Sequence, residues 1–502
     1  MTRFALILVC VASLTGCALP HDFGAAASPG VDDATGEGKA DDYLSSLGRE
    51  YDFETLLEVQ LSDADLELDD EARASRAQTI ASERMSKLTE ALDAVIWDRW
   101  DKDSRTGDNS LMLRQLSDSI DAPRETEDGA YVFDYLVEAA GPADLFDRFP
   151  FDGQDRQRRL LNVEVGEGDD ALSYEISVTH SEESTDSYPE YGELMQGGLD
   201  IAIHIGDDHR TDDKDIRQAR SVYESLVGQF GMRSPVNRFE DLGLESGPFE
   251  TTMNVEGEAV ALRVSLYHAD MVEDDELERL LDAYRYSAEH ADIVLYEGHA
   301  GRSLDYSGVV LHYGPRAAIP ASEFRNLVLP NRYQIFVFAG CETYTGYSES
   351  LFAHPDKHAG NADVITTVNY STYRSRATAA IAMLQALTRT YEDTWYPLSW
   401  GGVIKHINDY DEGGRWTAMY GVHGLDDNPR ISPLADESTI GMSCEDASEC
   451  PGVDNRCVRR RSGERQCGVA CTDDSGCPTG SRCVGVTSGD LGSIRQCLAG
   501  SR

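Results

Sequence analysis

Between residues 199 and about 435 the chain alternates short apolar runs with segments of helical period, and that alternation limits the fold more than any other feature of the sequence. LDIAIHIG (199–206), GEAVALRVSLYH (257–268), ADIVLYEGHAG (291–301), YQIFVFAGCETY (333–344), DVITTVNYS (363–371) and MYGVHG (419–424) read as strands. DKDIRQARSVYESLVGQFG (213–231), EDDELERLLDAYRYSAEH (273–290) and RATAAIAMLQALTRTY (376–391) read as helices, the second with Leu277, Leu280, Leu281 and Tyr284 on one face. Short apolar runs bounded by glycine are strands buried on both faces, and strands that alternate with helices build parallel sheets with a helix layer on each side. The expected fold class is therefore α/β, a doubly wound and mostly parallel sheet over residues 191–436.

Reacting groups in such sheets sit just beyond the carboxyl ends of the strands. Two of those ends carry reactive side chains: His299 in ADIVLYEGHAG and, 42 residues later, Cys341 in YQIFVFAGCETY. A thiol is a weak nucleophile at neutral pH until an imidazole and local positive potential favour its thiolate, and the same imidazole can then donate a proton to a leaving amine. Cys341 is the expected nucleophile and His299 its acid–base partner. Backbone N–H groups around Ala300, Gly301, Gly340 and Cys341 are candidates to hold the developing oxyanion, because the glycines at 298, 301 and 340 let the main chain approach closely. Glu342 and Asp305 lie near the site in sequence and suggest a basic substrate side chain, and His204 follows the first strand and is a candidate to line the same crevice.

The count of cysteines supports the same residue. MTRFALILVCVASLTGC has one basic residue, Arg3, then an apolar run too short to span a membrane, and reads as a signal peptide. Its Leu-Thr-Gly-Cys ending resembles the bacterial lipobox, which implies cleavage before Cys17, lipidation of that cysteine and a place in the cell envelope or at the cell surface, with the lipid as the anchor. Of 11 cysteines, Cys10 then leaves with the signal, Cys17 takes lipid and eight lie between 444 and 497, so that Cys341 is the one left over and is expected to be a reactive thiol. The formal charge of −46, from 90 acidic against 44 basic side chains, argues against a nucleic-acid partner and fits solubility after export.

The other segments carry no expected chemistry. Residues 18–45, rich in Gly, Ala, Asp and Pro, read as a flexible tether. Residues 46–190 read as an α+β domain, with an amphipathic helix over 72–100 and a hairpin in which Leu161, Val163 and Val165 face Leu172, Tyr174, Ile176 and Val178 across a GEGDD turn. DKDSRTGD at 101–108 lacks the glycine and glutamate of a calcium loop, with Thr106 and Met112 in their places. The pairs His204/His209 and His354/His358 lack a third ligand at fixed spacing, so neither metal nor cofactor is expected. In the tail, CEDASECPGVDNRCV (444–458) repeats as CTDDSGCPTGSRCV (471–484), and Cys444, Cys450, Cys457 and Cys467 precede Cys471, Cys477, Cys483 and Cys497. Four cysteines per half in an oxidising compartment make 441–499 a disulfide module and a candidate surface for a protein partner; nine pairings are open if bridges stay within each half.

GHAG after one strand and AGCET after the next resemble the caspase-like cysteine peptidases, the group of caspases, legumain, clostripain and gingipains, over roughly residues 195–435. LDDNPRISP (425–433) is similar to the gingipain-type segment that ends that domain. The resemblance implies an α/β/α sandwich, a Cys341 nucleophile, a His299 general acid–base and cleavage of peptide bonds, with specificity set by the residue before the cleaved bond. Two positions depart from the family: Ala300 stands where glycine usually follows the histidine, and no specificity residue matches. A second expectation stands beside the peptidase: a catalytically inactive caspase-like lipoprotein that binds a partner through its cysteine-rich tail.

Overall fold

The structure, a computed structural model, describes residues 43–500 apart from 100–111, 116–122, 127–128, 156, 167, 169–170, 182–183, 208–212, 302, 370, 372–378, 392, 411–417, 426, 453–454 and 489–491. The signal segment with Cys17, residues 18–42 of the tether, the 101–108 stretch and His209 lie outside the described residues.

Eight strands form the main sheet: β1 (Leu44–Ser45), β2 (Leu199–Ile205), β3 (Phe249–Val255), β4 (Glu258–His268), β5 (Ile293–Glu297), β6 (Gln334–Ala339), β7 (Ala362–Thr367) and β8 (Tyr420–His423). Their order across the sheet is β1-β8-β7-β6-β5-β2-β4-β3. The five central strands, β7 to β4, are parallel, while β8 and β3 run antiparallel to their inner neighbours. Ile203, Leu295 and Val337 face the helices α1 (Lys214–Gly228), α3 (Ala379–Leu387) and α4 (Trp400–Tyr410) in one buried cluster. Val294, Phe336 and Phe338 face α2 (Glu278–His290) in another. Alternate residues of the same strands thus enter two cores, which is why these runs are apolar throughout. From β2 the chain moves one way to β4 and then back past β2 to β5, so the strand order reverses between β2 and β5, the kind of switch point at whose carboxyl ends such sheets place their working residues.

Several boundaries differ from expectation. Residues 44–45, read as the end of the tether, form β1: Leu44 pairs with Val422 and Ser45 with Gly421. Gly421 permits this because Tyr43 lies over it, and a Cβ there would come 2.2 Å from the Tyr43 ring. The hairpin partner β3 was not anticipated; FETTMNV is half polar, and only the left-handed Glu256 and Gly257 between Val255 and Glu258 signal its tight turn. The described part of the helix read over 376–391 is α3, and α4, rich in glycine and aromatic residues at its start, was missed.

The N-terminal unit is an antiparallel sheet in which strand Gly48–Val59 pairs along its whole length with Tyr131–Pro142. The expected hairpin is present, with Leu161 opposite Ile176 and Val163 opposite Tyr174. Helix Asp70–Arg99 buries Ala77, Ala81, Met85, Leu88, Leu92 and Ile96 on this sheet. In the tail, Cys444–Cys457, Cys450–Cys467, Cys471–Cys483 and Cys477–Cys497 are bridged, first to third and second to fourth in each repeat. Oxidation of all eight sulfurs leaves no thiolate there for a metal, although two trios of them cluster within 4.8 Å. Among the described residues no helix is long and apolar enough to cross a membrane.

Candidate active site

Strands β5 and β6 pair in register from Ile293 with Ile335 to Glu297 with Ala339. The Gly298 N–H then donates to the Ala339 carbonyl at 3.2 Å. His299 and Cys341 therefore both lie two residues beyond the last paired rung, on adjacent parallel strands. The loops that carry them touch: a Cβ on Gly340 would come within 2.3 Å of the Ala300 Cβ, and one on Gly298 within 2.3 Å of the Tyr296 hydroxyl.

Tyr296 fixes the histidine loop. Its buried hydroxyl lies 2.7 Å from the His299 carbonyl and 3.0 Å from the Val310 carbonyl, and the Val310 N–H donates to it at 3.0 Å. The His299 ring is largely buried against Tyr313, with ring centroids 5.0 Å apart. Beneath this loop the Glu297 carboxylate accepts the Ala380 N–H at 3.0 Å and a bond from the Gln218 amide, which ties β5 to the start of α3 and to α1.

The cysteine turn is braced by threonines. Thr343 Oγ1 donates to the Phe338 carbonyl at 2.8 Å and accepts the Thr367 N–H at 2.8 Å, while Thr367 Oγ1 donates to the Gly340 carbonyl at 2.6 Å. Beyond Cys341 the chain pairs with the continuation of β7, through Glu342 N–H to the Asn369 carbonyl at 3.0 Å and Tyr344 N–H to the Thr367 carbonyl at 2.9 Å. Glu342 adopts φ +54°, a left-handed conformation that costs a non-glycine residue about 1 kcal/mol or more and is held by these bonds.

Cys341 itself is only 1 % exposed, with Sγ 3.5 Å from the Ser371 carbonyl and 4.0 Å from its hydroxyl. It is disulfide-bonded. The expectation of a free thiol applies to the mature chain, after loss of Cys10 with the signal segment and lipidation of Cys17.

Two expected oxyanion donors are already engaged. The Gly301 N–H donates to the Tyr347 hydroxyl at 3.4 Å, and the Gly340 N–H turns back to the Phe338 carbonyl at 3.1 Å. Glycine's freedom of approach is used here to close the strand ends rather than to point both amides into the crevice. Ala300 N–H makes no hydrogen bond among the described residues.

The expected pocket residues separate. Glu342 is beside Cys341 and largely buried, and Asp305 is exposed on the turn after His299. His204 does not line the crevice. Its side chain points to the α2 side, stacked on Tyr267 at 4.6 Å and bonded through Nε2 to Ser287 Oγ at 3.0 Å. Complete burial lowers its pKa to about 3, so the ring is neutral. The alternation of strand side chains explains the error, since position 204 belongs to the face opposite Ile203 and Ile205. His354 and His358 make structural bonds, His354 tying its loop to the Leu327 carbonyl at 2.7 Å and accepting the Asp356 N–H at 3.0 Å, and His358 accepting the Gly360 N–H at 3.1 Å.

Sequence reasoning missed Tyr296, Tyr313, Thr343 and Thr367. Tyr296 and Thr343 lie close in sequence, three residues before His299 and two past Cys341; Tyr313 and Thr367 reach the site from separate segments. A scan of protein-family models and searches of curated proteins and of solved structures returned no match to this chain.

Proposed function

We propose that the chain is an exported, membrane-tethered cysteine endopeptidase of the caspase-like kind, with Cys341 as nucleophile and His299 as general acid–base. The observation that carries this reading is the in-register pairing of β5 with β6, which delivers both side chains to one level beyond the sheet at the carboxyl-end crevice. In the reduced protein the Cys341 thiolate attacks the carbonyl carbon of the scissile bond. The C–N bond breaks, His299 passes a proton to the leaving amine, and a thioester remains. Water, losing a proton to His299, then releases the carboxylic acid and restores the thiol. The mechanism needs the thiol, so the full chain is assayed in a thiol reductant that opens the Cys341 disulfide. The test is hydrolysis of a peptide library by the full chain in dithiothreitol; turnover that survives Cys341→Ala would contradict the proposal.

Three observations favour the second reading, an inactive caspase-like protein that acts by binding: the disulfide at Cys341, its burial, and the engaged amides of Gly301 and Gly340. Under that reading an acyloxymethyl-ketone probe leaves the reduced Cys341 unlabelled.

A further inference from the structure

The N-terminal unit reaches directly into the turn that carries Cys341. Tyr344, three residues further on, is fully buried, and its hydroxyl donates to Glu50 Oε1 at 2.6 Å, 294 positions away. Glu50 is 7 % exposed and lies on strand Gly48–Val59 of the N-terminal sheet. Tyr43 packs edge-on against the Tyr344 ring at 5.2 Å and lies tilted against His423 of β8 at 5.0 Å. Ala140, from the strand paired with Gly48–Val59, joins Tyr43, Tyr344, Val368 and Met419 in one buried cluster.

The cysteine turn is thus held on two sides. The continuation of β7 holds it through backbone bonds, and the N-terminal unit holds it through a hydroxyl-to-carboxylate bond in a buried setting. A buried bond to a carboxylate is among the stronger hydrogen bonds, and deleting one partner strands the other. Glu342, left-handed and next to Cys341, is itself part of the β7 anchor, and Tyr344 two residues on carries the other, so rotation of this segment would swing the sulfur. A misplacement of about 1 Å at a reacting atom lowers a rate by about a hundredfold.

We infer that Glu50 and Tyr344 are positioning residues for Cys341, and that the N-terminal unit belongs to the working enzyme rather than being a detachable leader. The inference rests on the peptidase reading. It is tested on the full, reduced chain with Tyr344→Phe, Glu50→Ala and Glu50→Gln, by kcat and KM for peptide hydrolysis and by the pH profile of Cys341 alkylation with iodoacetamide, read on the Cys341 peptide by mass spectrometry. Tyr344→Phe and Glu50→Ala are expected to lower kcat about tenfold or more with KM within about threefold, and to slow alkylation in parallel. Glu50→Gln keeps an acceptor oxygen and is expected to stay within about threefold of the parent. If Glu50→Ala does not fold, Tyr344→Phe, which removes one oxygen, decides. Unchanged kcat and alkylation in the folded variants, or a change in KM alone, would overturn the inference. Absence of any Cys341-dependent hydrolysis by the parent chain would defeat the peptidase reading instead, and the alkylation profiles would still decide whether Glu50 and Tyr344 position the sulfur.

Discussion

Gly340 and Ala300 show how closely the two candidate catalytic loops are fitted. A methyl at 340 would overlap the Ala300 methyl, so Gly340→Ala is expected to lower stability by about 1–3 kcal/mol and to reduce any Cys341-dependent activity. Ala300→Gly removes the opposing methyl and should restore much of the loss, although the Gly298 carbonyl at 3.2 Å and Thr343 Cγ2 at 3.3 Å still crowd the site. Thermal unfolding of the two single variants and the double variant measures that coupling; additive losses would contradict it. At this scale the sequence was informative where chemistry is local. The placement of His299 and Cys341 just beyond adjacent strand ends was legible because each follows an apolar run. His204 was misassigned because a position inside a strand has a facing side that only the register reveals, and the engagement of Gly301 by Tyr347 depends on a helix that begins 46 residues later.

Strand β7 carries the clearest case of an element-scale device. At its amino end, opposite the candidate site, the buried Asp363 accepts bonds through Oδ2 from Tyr333, from Trp400 Nε1 at 2.9 Å and from Asn428 Nδ2 at 2.8 Å, while Oδ1 has no partner among the described residues. It thereby ties β7 to α4 and to the chain beyond β8. Burial raises its pKa from 3.8 to about 8. The unfolded chain releases this proton first, so stability from this group is fully present below about pH 4 and is lost as pH rises towards 8. Asp363→Asn is expected to flatten the fall in melting temperature between pH 5 and pH 8; a slope equal to that of the parent would contradict the assignment. Elements with a strong period, such as helix Asp70–Arg99 and the central strands, were legible in sequence. Strand β3 and helix α4 were not, because a half-polar hairpin strand and a glycine-rich helix start are set by what they pack against.

Across the whole molecule, the sheet of β1 to β8 is completed at one edge by Leu44–Ser45, so the N-terminal unit and the main sheet are built from one continuous stretch. The tail joins the main sheet's unit through Ser432 N–H to the Ala470 carbonyl at 3.2 Å, Thr472 N–H to the Arg430 carbonyl at 2.9 Å and Arg456 over the Tyr391 ring. The eight cysteines announced a two-repeat module, but only the fold selects first-to-third and second-to-fourth pairing from the nine possibilities. Bridges that close loops of 12–20 residues each contribute about 3 kcal/mol in the chain-entropy model. Replacing Cys471 and Cys483 by serine should therefore lower the tail's calorimetric transition while leaving that of the main sheet in place; a shift of both together would show one cooperative unit. The central claim, that β5 and β6 bring a working imidazole and thiol to one crevice, is tested most directly by labelling of the reduced full chain with an acyloxymethyl-ketone probe. The account predicts one equivalent of label on Cys341, abolished by His299→Ala; no label on Cys341, or labelling that is indifferent to His299, would contradict it.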